Sequence, residues 1–174
     1  LLPQGVMTQL WRQMAGRKVG VISKIGLGTY VDPRLQGGRI SEITKEELVK
    51  LIEFEGEEYL YYKPFPIDVA IIRGTTADEK GNVTMTHEAL NLEAMSLATA
   101  AKNNGGIVIA QVKYIAKAGT LNCRRVKVPG VLVDHIVVAQ LENHLQTAAT
   151  SYEPALCGET VAPLAAIPPL PLDE

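Results

Sequence analysis

Ile67-Asp68-Val69-Ala70-Ile71-Ile72-Arg73 is the stretch on which the fold turns. Apart from Asp68 and the closing arginine it is apolar throughout, without the alternation of a strand that has one wet face. Such a run suits a strand buried on both faces, as in a parallel sheet. It feeds directly into Gly74-Thr75-Thr76-Ala77, and DEKGN at 78–82 reads as a turn.

Downstream, Thr86 is placed to cap a helix, with Glu88 in the first turn where the helix dipole favours an acid. Leu90, Ala94, Leu97, Ala98 and Ala101 share one helical face, and Asn104-Gly105-Gly106 ends it. Ile107 to Ile115 is a second buried strand. Pro129-Gly130 turns the chain into a third, Val131 to Val138. Strand, helix and strand in this order predict an α/β fold: an open, largely parallel sheet with flanking helices.

Upstream, Met7, Leu10, Trp11 and Met14 recur at helical spacing, and Gly16 is placed to stop that helix. Val19 to Ser23 predicts a strand. The stretch from Gly26 to Ser41, with Gly26, Gly28, Pro33, Gly37 and Gly38, predicts an ordered loop. Thr44 and Glu47 match a capping box, which predicts a short helical turn. Ile52 to Glu55, Gly56, and Glu58 to Tyr62 predict a β-hairpin, an antiparallel insertion whose acids Glu53, Glu55, Glu57 and Glu58 face solvent.

A chain of 174 residues, 47% hydrophobic and 21% charged, fits one α/β domain. A formal charge of −2 lacks the basic footprint of a nucleic-acid surface. No apolar run reaches the roughly 18 residues of a membrane-spanning helix, and no secretory leader opens the sequence. Cys123 and Cys157 form no CxxC and no metal spacing, so both read as free thiols in a reducing cytoplasm. The first residue is Leu1 rather than methionine. Pro163, Pro168, Pro169 and Pro171 make the other end read as a linker. Both ends are expected to be cut.

Open parallel sheets bind ligands beyond the carboxyl ends of their strands. Two glycine-containing loops are expected there: Gly26, Gly28 and Thr29 after the Val19 strand, and Gly74, Thr75 and Thr76 after Arg73. Glycine permits close approach to the backbone, whose N–H groups can hold an anionic or carbonyl oxygen. The same residues also suit plain turns. There is no third glycine for a dinucleotide fingerprint and no P-loop lysine, nor any G-x-S-x-G. His87, His135 and His144 have no metal spacing, and hydrogen-bonded structural histidines are the plainer reading. Asp32 before Pro33 suits a turn closed by its own carboxylate. Arg73 suits a phosphate or carboxylate ligand, or more plainly a structural ion pair. No self-sufficient catalytic set or metal site emerges.

The order of longer segments goes further. Leu2 to Gly5 (LPQG), Ser23 to Ser41 (SKIGLGTYVDPRLQGGRIS), Tyr62 to Met85 (YKPFPIDVAIIRGTTADEKGNVTM) and Lys117 to Ala139 (KAGTLNCRRVKVPGVLVDHIVVA) together resemble the family I coenzyme A transferases, of the acetate/propionate or acetoacetate type. Glu142 to Thr147 (ENHLQT) and Ile167 to Glu174 (IPPLPLDE) resemble that family's connector between its two halves. The resemblance implies part of a first-half domain over 1–140 and a proline-rich connector over 141–174. It implies transfer of coenzyme A, as a substrate rather than a cofactor, between a short-chain acyl-CoA and a free carboxylate. The covalent intermediate would be a glutamyl-CoA thioester, with ping-pong kinetics. The family's catalytic glutamate follows the connector, so no catalytic residue is assigned in this chain. The family's early glycine-rich loop is expected before Leu1. Gln4, Gly26, Gly28, Thr29, Gly74, Thr75 and Thr76 are the positions implied to face substrate. The implied partners are a second half or β-type subunit carrying the glutamate, and a homo-oligomer is expected from the apolar surface left uncovered. The alternative is a non-catalytic module that binds coenzyme A or a subunit.

Overall fold

The computed structural model describes residues 1–167. The proline-rich end expected to act as a linker falls largely outside these residues, at 168–174. The described chain builds two sheets, each with its own core, joined through two packed helices.

The first helix, α1, spans Gln4–Ala15 and stops at Gly16. It buries Val6 and Leu10 against an antiparallel sheet of β1 (Val21–Ser23), β2 (Val49–Phe54) and β3 (Glu57–Tyr62), in the order β1-β3-β2. The β2–β3 pairing sets Leu51 opposite Leu60 and Val49 opposite Tyr62, the hairpin expected around Gly56. Leu60 and Tyr62 are buried, and with Val6, Leu10, Val21, Val31 and Val49 they make the first core. The Tyr62 hydroxyl donates to the Ile25 carbonyl at 2.6 Å. Burial pushes its pKa up to about 12.

The second sheet holds β4 (Val69–Asp78), β5 (Val83–Thr84), β6 (Ile107–Ala116), β7 (Val126–Val128) and β8 (His135–Val138), in the order β7-β5-β4-β6-β8. β4 pairs parallel with β6, and β6 parallel with β8, while β5 runs antiparallel to β4 and β7. The parallel centre that IDVAIIR implies is present, with an antiparallel edge. The crossover helix α2 (Ala94–Asn103) lays Ala98 and Ala101 on Ala70, Ile72, Val108, Ala110 and Val112. Fully burying a valine such as Val108 contributes about 1.5–3 kcal/mol. α1 and α2 meet along their lengths, and Asn103 Nδ2 donates to the Ala15 carbonyl at 2.6 Å while Arg17 donates to the Asn103 carbonyl at 3.1 Å.

Several expectations are corrected. The helix expected after Thr86 starts only at Ala94, with Glu93 at its N-cap. The cause lies in β4: the His87 amide donates to Thr75 Oγ1 at 2.8 Å and the Glu88 side chain turns toward Arg73, so this segment is tied to the sheet. Leu92 then sits at φ 46°, which no continuing helix tolerates. Leu90 consequently lies exposed rather than on a buried helical face. No helix forms at Thr44–Glu47, where Glu46 and Glu47 instead pair with Lys63 and Arg39. The third strand is shorter than 131–138, because Gly130–Leu132 forms a 3-10 turn before β8. Most consequentially for the site, Gly74, Thr75 and Thr76 are not a loop but part of β4, and β1 belongs to the antiparallel sheet.

β4 pairs with β5 only at Thr76 and Ala77, so residues 69–75 have a strand neighbour on one side alone, β6. No helix among the described residues is long and apolar enough to cross a membrane.

Candidate functional site

Arg73 closes the run that decides the fold and lies within β4, where its charge must be matched. Its Nε donates to Glu88 Oε2 at 2.5 Å. Glu88 is almost wholly buried, and its other oxygen accepts from Thr75 Oγ1 at 3.4 Å and faces His144 Nε2 at 3.3 Å. His144 is fully buried. Its Nδ1 lies 3.2 Å from the Gln111 amide nitrogen. With that amide donating, Nδ1 accepts and Nε2 keeps the proton aimed at Glu88. Burial lowers the His144 pKa, assisted by the charges of Arg73 and Lys113, so the imidazole is neutral.

Residues 141–159 are thereby stitched onto the sheet rather than hanging free. Gln111 also donates to the Asn143 carbonyl at 3.3 Å, and Gln146 donates to the His87 carbonyl at 2.8 Å. Gln146 Oε1 accepts from the Glu153 backbone amide at 2.7 Å. Beyond it, Tyr152 tilts against His87 with ring centroids 4.9 Å apart, takes the Lys113 ammonium 5.4 Å above its ring, and donates to Glu159. That hydrogen bond raises the Tyr152 pKa. No buried side-chain nitrogen or oxygen among the described residues lacks a partner, and none of them form a group of three or more metal-type ligands.

The residues expected to face substrate fall in three places. Gln4 is exposed on the first turn of α1. The loop at Gly26, Gly28 and Thr29 is folded on itself: the Gly28 amide donates to Asp32 Oδ2 at 2.9 Å, and the Thr29 amide and hydroxyl both donate to the Gly26 carbonyl. Asp32 closes its own turn as expected, accepting the Arg34 amide at 3.0 Å, and is held by the Arg34 side chain. That guanidinium and the Gly28 amide lower its pKa far below the usual carboxylate range. Gly26, at φ 97°, sits where a Cβ would lie 2.4 Å from Val31 and 2.6 Å from the Tyr62 hydroxyl, so its glycine serves packing. Gly74 has a similar role in the other sheet, where a Cβ would stand 2.2 Å from Val83. Thr75 alone of the seven joins the buried polar cluster; Thr76 pairs with Thr84 across the sheet.

Glu88, Gln111, His144 and Gln146 are not among the expected site residues. The signal that points to them is Arg73: a cation ending an apolar run demands an acid within reach.

The family described as Coenzyme A transferase matches residues 1–139. The chain belongs to the coenzyme A transferase family. It is 56% identical over 99% of its length to the caffeate CoA-transferase of Acetobacterium woodii, covering 33% of that protein. A solved structure of the acyl-CoA transferase YdiF of E. coli O157:H7, as a thioester complex with CoA, superposes on 92% of this chain with a TM-score of 0.84 and 44% identity, again over 33% of that chain. The acetoacetyl-CoA:acetate/butyrate CoA transferase alpha subunit of Clostridium acetobutylicum is 31% identical over 79% of this chain, which covers 54% of it. The chain thus spans about a third of the length of the first two of these transferases. In this coenzyme A transferase sequence the buried cluster joins three segments: the strand pair β4 and β6, the 85–93 loop, and 141–147.

Proposed function

We propose that this chain is part of a transferase that moves coenzyme A between a short-chain acyl-CoA and a free carboxylate, and that the attacking glutamate lies outside it. The observation that carries this reading is the state of Glu88. It is the one glutamate that the described residues bury, and its two oxygens are taken by Arg73, Thr75 and His144. A carboxylate held by three donors is a poor nucleophile; here it fastens 141–147 to the sheet. The other glutamates among the described residues lie at or near the surface.

In the proposed reaction a glutamate oxygen adds to the thioester carbonyl and expels CoA thiolate, leaving a mixed anhydride. The thiolate then attacks the glutamyl carbonyl, releases the first acid and leaves a glutamyl-CoA thioester. A second carboxylate reverses both steps, which gives ping-pong kinetics. The partner is a second half or subunit that brings the glutamate, as the alpha-subunit relative permits.

The test is exchange between acetyl-CoA and propionate, followed as propionyl-CoA. This chain is assayed alone and then mixed with the remainder of the caffeate CoA-transferase polypeptide. The expected result is no exchange alone, exchange in the mixture, and a CoA adduct on a glutamate outside residues 1–174. Exchange by the chain alone, or an adduct on Glu88 or Glu142, overturns the reading.

A further inference from the structure

Most arginines of this chain have an acceptor within the fold. Arg12 holds Glu93, Arg34 holds Asp32, Arg39 reaches Glu47, Arg73 holds Glu88, and Arg17 donates to the Asn103 carbonyl. The other two, Arg124 and Arg125, are neighbours in sequence. Among the described residues no ion pair or side-chain hydrogen bond holds either guanidinium; Arg124 bonds only through its backbone amide, which donates to Asn122 Oδ1 at 2.9 Å. Asn122 thereby caps the turn Cys123–Arg125, and both guanidiniums leave that one tight turn. In β7, which follows at once, Val128 is buried in the core, so strand alternation points Lys127 to the other face. The three cations all line a cleft of about 320 Å³. Thr86 and Asn91 add neutral donors to its wall, and Glu159 is its one acid. That carboxylate is already taken, by the Tyr152 hydroxyl and by His87 Nε2 at 3.2 Å. Three like charges at one recess repel one another. The chain has 19 acids and a formal charge of −2, and it matches its other arginines, yet places no free acid here.

We infer that this cleft binds the diphosphate group of a small molecule, with Arg124 and Arg125 as its main anion ligands and Lys127 as a third charge. A guanidinium presents paired N–H donors that fit two oxygens of one phosphate, whereas an ammonium acts as a point charge. Two adjacent guanidiniums therefore suit two linked phosphates better than one. The volume stands at the low end of small-molecule sites, about 300–1,000 Å³. The cations gather at one recess rather than along a stripe, which favours a small molecule over a polynucleotide. Two sources share this chemistry: coenzyme A, which carries a diphosphate, and a free nucleoside diphosphate. The anion site stands on the cleft alone; its assignment to coenzyme A rests in addition on the proposed transferase reading.

Titration calorimetry of this chain with ADP, coenzyme A and inorganic phosphate, at low and high salt, tests it. ADP or coenzyme A should bind saturably, at least tenfold tighter than inorganic phosphate, and added salt should weaken the binding. Arg124→Gln/Arg125→Gln should weaken it at least tenfold and Lys127→Gln about threefold. Lys45→Glu, on an exposed loop outside the cleft, should leave it unchanged. A readout on the wild type needs no variant: bound ligand should slow alkylation of Cys157, which lines the cleft. Equal binding of ADP and coenzyme A supports a site for the diphosphate in general; coenzyme A binding at least tenfold tighter than ADP supports a site for the transferase substrate. No binding of either, full binding by the double Gln variant, inorganic phosphate binding as tightly as ADP, or alkylation of Cys157 unchanged by bound ligand overturns the inference. Exchange in the mixture with the remainder of the caffeate CoA-transferase, without any binding at the cleft, leaves the transferase reading standing and overturns the site. A filled cleft without exchange in that mixture does the reverse.

Discussion

The Arg73 guanidinium meets the Glu88 carboxylate at 2.5 Å and, through Nη2, reaches the His144 carbonyl at 3.5 Å, so one side chain ties together three segments distant in sequence. Arg73→Met should leave Glu88 buried without its cation. Removing one partner of a buried pair typically costs 3–5 kcal/mol, and the partial exposure of Arg73 places the expected loss near the bottom of that range, about 3 kcal/mol. The double variant Arg73→Met/Glu88→Gln should recover part of it. Urea unfolding of the wild type and the two variants checks this, and a double variant no more stable than the single one would refute it.

His144 gives the stability a pH dependence of known sign. Its folded pKa is lowered, so the unfolded chain takes up the proton first as pH falls. Stability is therefore full above the unfolded value of about 6.5 and declines as pH drops below it. The melting temperature should fall between pH 7.5 and pH 5.5, before the carboxylates titrate. His144→Gln should flatten that slope while lowering stability at pH 7.5. An unchanged slope in the variant would mean another group carries it.

Gly74→Ala introduces a Cβ 2.2 Å from Val83 and 2.9 Å from the Thr84 carbonyl, forcing β5 from β4. Overpacking of this kind costs typically 1–3 kcal/mol. Thermal melts should show the loss, and Gly105→Ala is a useful contrast: there φ is 79° but nothing stands in the way of a Cβ, so only backbone strain is added.

Asp32→Asn should loosen the loop at Gly26 to Gly38 without unfolding either sheet. The carboxylate accepts from the Gly28 and Arg34 amides and from the Arg34 side chain, and an amide cannot replace its charge. Because its pKa is lowered, wild-type Asp32 contributes above the unfolded value near 3.8, and the contribution fades as pH falls below it. Limited proteolysis at pH 7 should cut the variant's loop first; equal resistance would count against this role.

The fold was largely legible. IDVAIIR, the 107–115 run and the alanine face of α2 reported the sheet and the face that α2 covers, but burial on both faces did not hold: Val69, Ile71, Ile107 and Ile115 are exposed on the other. The hairpin was legible through Gly56. What misled was local chemistry overruled by distant contacts. Thr86 and Glu88 look like a helix start, yet Thr75 and Arg73 draw both the backbone and the carboxylate of that segment to β4. Gly74 looks like a loop glycine, yet it sits in a strand because Val83 leaves no space for a side chain. His144 looked like part of a tether, and nothing near it in sequence announces Gln111 or Glu88. Of the seven site positions, only Thr75 touches the buried cluster.

Two sheets that share no strand and meet through α1 and α2 should open as two cooperative units rather than one. The smaller, around Leu60 and Tyr62, is stitched by a local hairpin and can re-form quickly after opening. The larger depends on β4 finding β6 across the whole crossover, Val69 against Ile107, a slow closure by comparison. Folding of this chain should therefore proceed in an order set by topology, with the hairpin sheet in place before the parallel strands align.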